Sequence, residues 1–235
     1  MSELIQYRLD GDVAVITLDD GKANALSPDS LAALDTALER AESEARAVVL
    51  AGRPGRFSAG FDLKIMMSGA GPARTLLGQG AKVFMRLYGL PMPLVVACTG
   101  HALAGGCLLM LCGDLRIGVQ GAFKLGMNEV AIGMPLPVLA VELVRERVAV
   151  EYLDQATLFA RIFNPDEALA AGMLTHVVDP AALADTAMEQ ARSLAQLNTM
   201  AYAESKARLR RATIDYVLET LDVDLASFNL AFPTP

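Results

Sequence analysis

Strand-like and helix-like patterns alternate along this 235-residue chain, which predicts an α/β layered domain. Three observations carry that expectation. The N-terminus holds two short runs of period-two alternation around an Asp-Gly turn. Near the middle, the uninterrupted apolar run PLVVAC reads as a strand buried on both faces. The last third is almost wholly helical in pattern, with little sheet left to cover. The chain is long enough to bury one sizeable core, and no interdomain linker is visible. A hydrophobic fraction of 53% and a mean hydropathy of +0.37 predict that some apolar surface is covered in an oligomer.

The elements follow in order. LIQYRLDGDVAVITLDD is a hairpin turning at Asp10-Gly11. A helix over about 27–45 starts at Ser27, a natural N-cap, with Pro28 at the first helical position and Leu31, Leu34 and Leu38 at helical spacing. AVVLAG is a short buried strand, and residues 64–90 hold several glycines around an amphipathic helix at about 73–88, a segment expected to be mobile or reshaped by ligand. After PLVVAC, Gly100 breaks the strand and Ala104-Gly105-Gly106 opens an apolar helix. A strand at 115–119 comes next, then helices near 137–148, 151–160 and 165–171, a short strand at THVVD, and helices at about 180–197 and 199–222.

Several classes of function are disfavoured at once. A formal net charge of −7 works against nucleic acid or an anionic membrane as partner. No apolar run reaches the roughly 18 residues that a spanning helix needs. The acidic start MSELIQYRLDGD fits neither a signal peptide nor an Arg-rich transit peptide, and FPTP is not a peroxisomal ending, so a cytoplasmic location is expected. Cys98, Cys107 and Cys112 read as reduced core thiols, and no His lies near enough to them for a metal site. His101 fits a turn position with a local hydrogen bond, and His176 fits the surface or an interface. Ser58 lacks the first glycine of a G-x-S-x-G elbow, and neither G-x-G-x-x-G after a strand nor a Walker loop is present.

The chemistry concentrates in residues 91–134. The first amides of the helix opened by Gly105 have no partner within it, and such amides stabilise negative charge. A donor placed this way at a developing oxyanion is worth roughly 3–4 kcal/mol. Some two dozen residues on, Glu129 is the one acid between Asp114 and Glu142. Its neighbours Leu125, Met127, Val130 and Ile132 would desolvate it and raise its pKa toward the range of a general base, although it could instead cap a helix after Asn128.

HALAGGCLLMLCGDLRI followed by KLGMNEVAIG, together with the upstream loops RFSAGFDL and KANAL, resembles the crotonase superfamily of acyl-CoA enzymes, and within it the Δ3,Δ2-enoyl-CoA isomerase branch. The motifs fall in the family's order, and the likeness spans most of residues 1–215. It implies a crotonase-like spiral of ββα units over 1–180, with a C-terminal helical region over 181–235 packed on the core or on a neighbouring subunit of a homotrimer or hexamer. It also implies an acyl-CoA thioester as substrate, with coenzyme A entering as part of that substrate, no other cofactor and no metal. The backbone amides of Gly105 and Phe61 would form the oxyanion hole and Glu129 would be the base. Lys22, Ala23, Ala25, Ala59, Asp62, Leu63 and Lys64 would hold the CoA portion, with Arg53 and Arg56 flanking them, and Lys206 would lie near its phosphates unless KARLRR is simply an exposed helix face.

Hydratases of that superfamily carry a second glutamate where this chain has Leu108. Adding water takes one group to deprotonate the water and one to protonate carbon, whereas moving a double bond from carbon 3 to carbon 2 takes a single carboxylate. The acids that dienoyl-CoA isomerases use just beyond the glutamate are missing too, since no Asp occurs from 130 to 141. Leu108, Met134, Leu136 and Val138 suit an acyl-chain pocket. A 3-enoyl-CoA isomerase is therefore the favoured expectation, with a hydratase or a non-catalytic acyl-CoA binder as alternatives.

Overall fold

The computed structural model describes residues 4–227 and shows a mixed α/β chain. β1 (Ile5–Asp10) and β2 (Val13–Leu18) form the antiparallel hairpin, with Gly11 in its turn at φ 59°. β3 (Ala25–Leu26) leads into α1 (Pro28–Glu44). The start of α1 is fixed locally: the Ser27 hydroxyl accepts from the Ser30 amide, the Ser30 side chain reciprocates, and Pro28 opens the first turn. Leu31, Leu34 and Leu38 then line its buried face.

β4 (Ala47–Ala51) is followed by β5 (Gly55–Ser58), β6 (Gly60–Phe61), α2 (Leu63–Met66) and α3 (Ala70–Tyr88). β7 (Leu94–Cys98), β8 (Gly100–Leu103) and α4 (Gly105–Leu111) repeat the arrangement. β9 (Leu115–Val119), β10 (Leu125–Gly126) and α5 (Val138–Arg147) repeat it again. Short α6 (Leu153–Ala156), α7 (Pro165–Ala170), β11 (His176–Val178), α8 (Leu183–Ala195) and α9 (Thr199–Ser227) complete the described chain.

Each unit gives one strand to a six-stranded sheet, ordered β1-β2-β4-β7-β9-β11, and the next strand to one of two small sheets, β10-β8-β5 and β3-β6. Apart from the first hairpin every named pairing is parallel. Alternate residues of the large sheet therefore face two apolar cores: Ala14, Val48 and Val96 lie on one side, and Val13, Val49 and Val95 on the other beneath α8. α9 packs along α3 and α5.

Two expectations change. Gly100 does not end the sheet structure; it starts β8 in a different sheet, because a Cβ there would lie 2.6 Å from the Cα of Gly55 and only glycine lets the two strands meet. The helix expected over 151–160 is a 3₁₀ turn at Val150–Tyr152 followed by the four residues of α6, and Ala160 at φ 48° turns the chain away. Among the described residues no helix is long and apolar enough to cross a membrane.

Candidate active site

The KANAL and RFSAGFDL loops are locked together by short polar side chains. Asn24, at φ 53°, donates from Nδ2 to the carbonyls of Leu18 (2.9 Å), Arg56 (3.2 Å) and Phe57 (3.1 Å), while its Oδ1 accepts from the Asp20 amide (3.0 Å). Asp20 in turn accepts from the amides of Lys22, Asn24 and Ala25. Burial works to raise the Asp20 pKa, but these three amides outweigh it and hold the carboxyl below its ordinary value. The Ser58 hydroxyl donates to the Asn24 carbonyl (2.7 Å) and accepts from the Gly60 amide (3.1 Å).

That scaffold fixes the direction of one backbone donor. β6 runs parallel to β3, and the Asp62 amide donates to the Leu26 carbonyl at 3.0 Å. Amides alternate along a strand, so the Phe61 N–H points to the opposite edge, toward α4. At α4, Ala104 adopts φ 50°, and the amides of Cys107 and Leu108 both donate back to the Ala104 carbonyl. The Gly105 amide lies outside this ladder. A Cβ on Gly105 would sit 3.4 Å from the Phe61 nitrogen, and one on Gly60 would sit 2.9 Å from the Gly105 nitrogen. Two amides from distant parts of the sequence thus stand close to each other.

Phe61 lines a cavity of about 490 Å³, and so does Ala104, the residue before Gly105. Among the described residues the cavity's lining is apolar except for Asn128 and Glu129, and Glu129 is the only titratable one. Glu129 is 8% exposed, and its Oε2 has no hydrogen-bond partner. Burial pushes its pKa up to about 6, against the partial opposition of the Glu129 and Asn128 amides. Of its expected neighbours, Leu125 and Met127 are buried, while Val130 and Ile132 are 41% and 54% exposed on the 3₁₀ turn at Val130–Ile132; Ile132 still lines the cavity, with Leu103, Leu108 and Met134 among its other walls. Leu136 lies along a separate groove with Val141 and Leu153, and Val138 opens α5; neither lines this cavity.

Ala23, Ala25, Ala59 and Leu63 line the cavity together with Phe61. Lys22 and Lys64 are exposed beside them, on the adjoining loop and at the start of α2. Asp62 serves the backbone: its Oδ1 accepts from the Lys64 amide at 2.8 Å and caps α2. Lys206 departs from expectation altogether. It is buried, its Nζ bonded to an Asp114 carboxylate oxygen (2.8 Å) and to the Met92 carbonyl (3.1 Å), and it does not line the cavity. The carboxylate of Asp114, also paired with Arg210 at 2.6 Å, draws that lysine inward. His101 sits on β8 and accepts from the Lys124 amide, away from the cavity lining. Asp20, Asn24 and Ser58 were not anticipated as the residues that set the donor geometry. Their signal was present: short polar side chains flanking both loops, suited to local backbone bonds.

Comparison with known proteins bears on the family and the fold. The family model for enoyl-CoA hydratase/isomerase matches residues 8–234. A short-chain-enoyl-CoA hydratase of Clostridium acetobutylicum is 32% identical, with 96% of this chain and 88% of that protein covered. The mitochondrial enoyl-CoA delta isomerase 1 of Mus musculus is 30% identical over 96% of this chain and 80% of its own length. A protein of Mycobacterium tuberculosis, described for one solved structure as an enoyl-CoA isomerase and for another as a probable enoyl-CoA hydratase, superposes in the first with a TM-score of 0.92 at 39% identity, covering 97% of this chain and 100% of that one. With its ββα spiral, adjacent free amides and buried glutamate, this chain belongs to the enoyl-CoA hydratase/isomerase family.

Proposed function

We propose that this protein is an enoyl-CoA isomerase that moves the double bond of a 3-enoyl-CoA thioester to carbon 2. The observation that carries the reading is that, among the described residues, Glu129 is the sole titratable side chain lining the cavity. The thioester oxygen accepts from the Phe61 and Gly105 amides, which acidifies carbon 2. The Glu129 carboxylate removes a proton there, the electron pair delocalises into a dienolate held by the two amides, and the protonated Glu129 returns the proton to carbon 4. Leu108 fills the place at which a second carboxylate would hold water. The exposed Lys22 and Lys64 attract the phosphates of the CoA moiety, and the reaction takes no cofactor beyond that moiety. Val150, Leu158 and Phe159, which are 79%, 64% and 69% exposed, support assembly as a trimer or hexamer.

Hydration is the second reading, favoured by the equal similarity to a hydratase. Side-by-side assays separate the two. Supplied with 3-enoyl-CoA the protein is expected to form the 2-enoyl product readily, and supplied with 2-enoyl-CoA to form little 3-hydroxyacyl-CoA. A hydration rate at or above the isomerisation rate would replace the isomerase reading with the hydratase one.

A further inference from the structure

We infer that Gly80 is a positioning residue: the space left by its missing side chain seats the Phe61 ring, and the seated ring fixes the Phe61 amide that polarises the substrate carbonyl. The inference rests on the oxyanion-hole reading above.

α3 presents Leu77, Gly80 and Phe84 along one face, at helical spacing. Leu77 lines the cavity. The Phe84 ring stacks against Phe61, with centroids 5.8 Å apart and planes inclined by 25°. A Cβ on Gly80 would lie 2.5 Å from Cζ of Phe61, and a Cβ on Gly105 would lie 2.8 Å from Cδ2 and Cε2, on the ring's other edge. The ring is therefore held edge to edge between two glycines, one on α3 and one on α4, with Phe84 on its face.

Glycine inside a helix is destabilising relative to alanine, so one in the middle of α3 calls for a packing reason. Gly78 has another neighbour, with a Cβ there 3.2 Å from Leu225 Cδ1. The side-chain atoms nearest to a Cβ at Gly80 all belong to the Phe61 ring. A methyl at position 80 would press on the tip of the ring, which is flanked by Gly105 and stacked on Phe84, and the displaced ring passes the shift to the Phe61 backbone, whose nitrogen is 3.4 Å from the position a Cβ on Gly105 would take. A donor displaced by about 1 Å is enough to cost up to ~100-fold in rate.

The test is Gly80→Ala, read by the carbonyl stretching frequency of bound 2-enoyl-CoA in Raman difference spectra, with kcat, KM and thermal melting alongside. The carbonyl shift requires only the two amides and is blind to which reaction the enzyme catalyses. Gly80→Ala is expected to bind acyl-CoA with little change in affinity, to lose most of the carbonyl shift, and to fall about 10–100-fold in kcat. In the double variant Phe61→Leu/Gly80→Ala the smaller side chain and the added methyl share the slot, and most of the carbonyl shift is expected to return. A Gly80→Ala protein with the wild-type shift and kcat would overturn the inference, and so would an equal loss with and without the Phe61 ring. Should Gly80→Ala not fold, Phe61→Ala leaves α3 untouched and empties the slot; it is expected to bind acyl-CoA and lose the shift, and a retained shift overturns the inference. A wild type that shows no carbonyl shift would remove the oxyanion reading itself, and this inference with it.

Discussion

Glu129 is a carboxyl group kept almost dry beside two unclaimed amides, and that placement governs both its reactivity and its cost. Glu129→Gln preserves shape but cannot carry a proton, so isomerase turnover should fall by about 10²–10⁴ while acyl-CoA affinity changes little. Near-normal turnover would assign the proton transfer to another group. In the wild type, kcat/KM should rise with pH through about 6, where the buried carboxyl ionises. Stability should respond in the opposite sense. A carboxyl whose native pKa exceeds its unfolded value destabilises the fold once it ionises, here by about 2 kcal/mol at neutral pH. Glu129→Gln is accordingly expected to raise the melting temperature at pH 8 and to leave it nearly unchanged at pH 4. This residue was legible in the sequence because it stands alone in an apolar stretch. The source of its desolvation was legible only in part: of its sequence neighbours Ile132 lines the cavity and Val130 does not, while other walls come from β8, α4 and the loop before α5.

At the scale of elements, α4 seats its first turn directly on β5. A Cβ on Gly106 would lie 2.7 Å from the Ser58 carbonyl carbon, a backbone atom that cannot give way. Gly106→Ala should therefore lift the helix start off the strand, lowering stability by about 1–3 kcal/mol and reducing kcat through the displaced Gly105 amide. Denaturant unfolding with steady-state kinetics checks both, and an active variant of wild-type stability would show that the close approach is dispensable. Elements with local signatures were readable from sequence alone. α1 has its cap, its proline and its leucine spacing, and the strand at 47–51 has its apolar run. The resumption of sheet structure at Gly100 was not readable, because it depends on Gly55 approaching from another part of the chain. The brevity of α6 was hidden for a similar reason: its sequence suits a helix, and the turn at Ala160 interrupts it.

Across the whole molecule, α9 is fastened to the core by a buried polar cluster. Asp114 accepts from Lys206, the Tyr202 hydroxyl and the Leu94 amide, and pairs with Arg210. Burial alone would raise its pKa, but the two adjacent cations prevail and hold it below the ordinary carboxylate range. Asp114→Asn would leave Lys206 and Arg210 buried without their counter-charge, at a cost of about 3–5 kcal/mol. A native pKa below the unfolded one contributes stability that is present above the unfolded value of 3.8 and lost as pH falls through the native value. The gap between wild type and Asp114→Asn should therefore be widest near neutrality and close in acid, and a pH-independent gap would contradict the account. The same cluster explains why Lys206 was misplaced by sequence reasoning: its charged flanks read as an exposed helix face, and the carboxylate that buries it lies 92 residues away.

The central claim is that one carboxylate carries a proton from carbon 2 to carbon 4 of a bound thioester. The most direct measurement supplies 3-enoyl-CoA deuterated at carbon 2 in ordinary water and locates the label in the 2-enoyl product by NMR. Because Glu129 is only 8% exposed, return of the label should compete with exchange into solvent. The account predicts deuterium at carbon 4 in a substantial part of the product, and none formed at a comparable rate by Glu129→Gln. Rapid wild-type conversion with no deuterium at carbon 4 would contradict it, since a second group would then be delivering the proton.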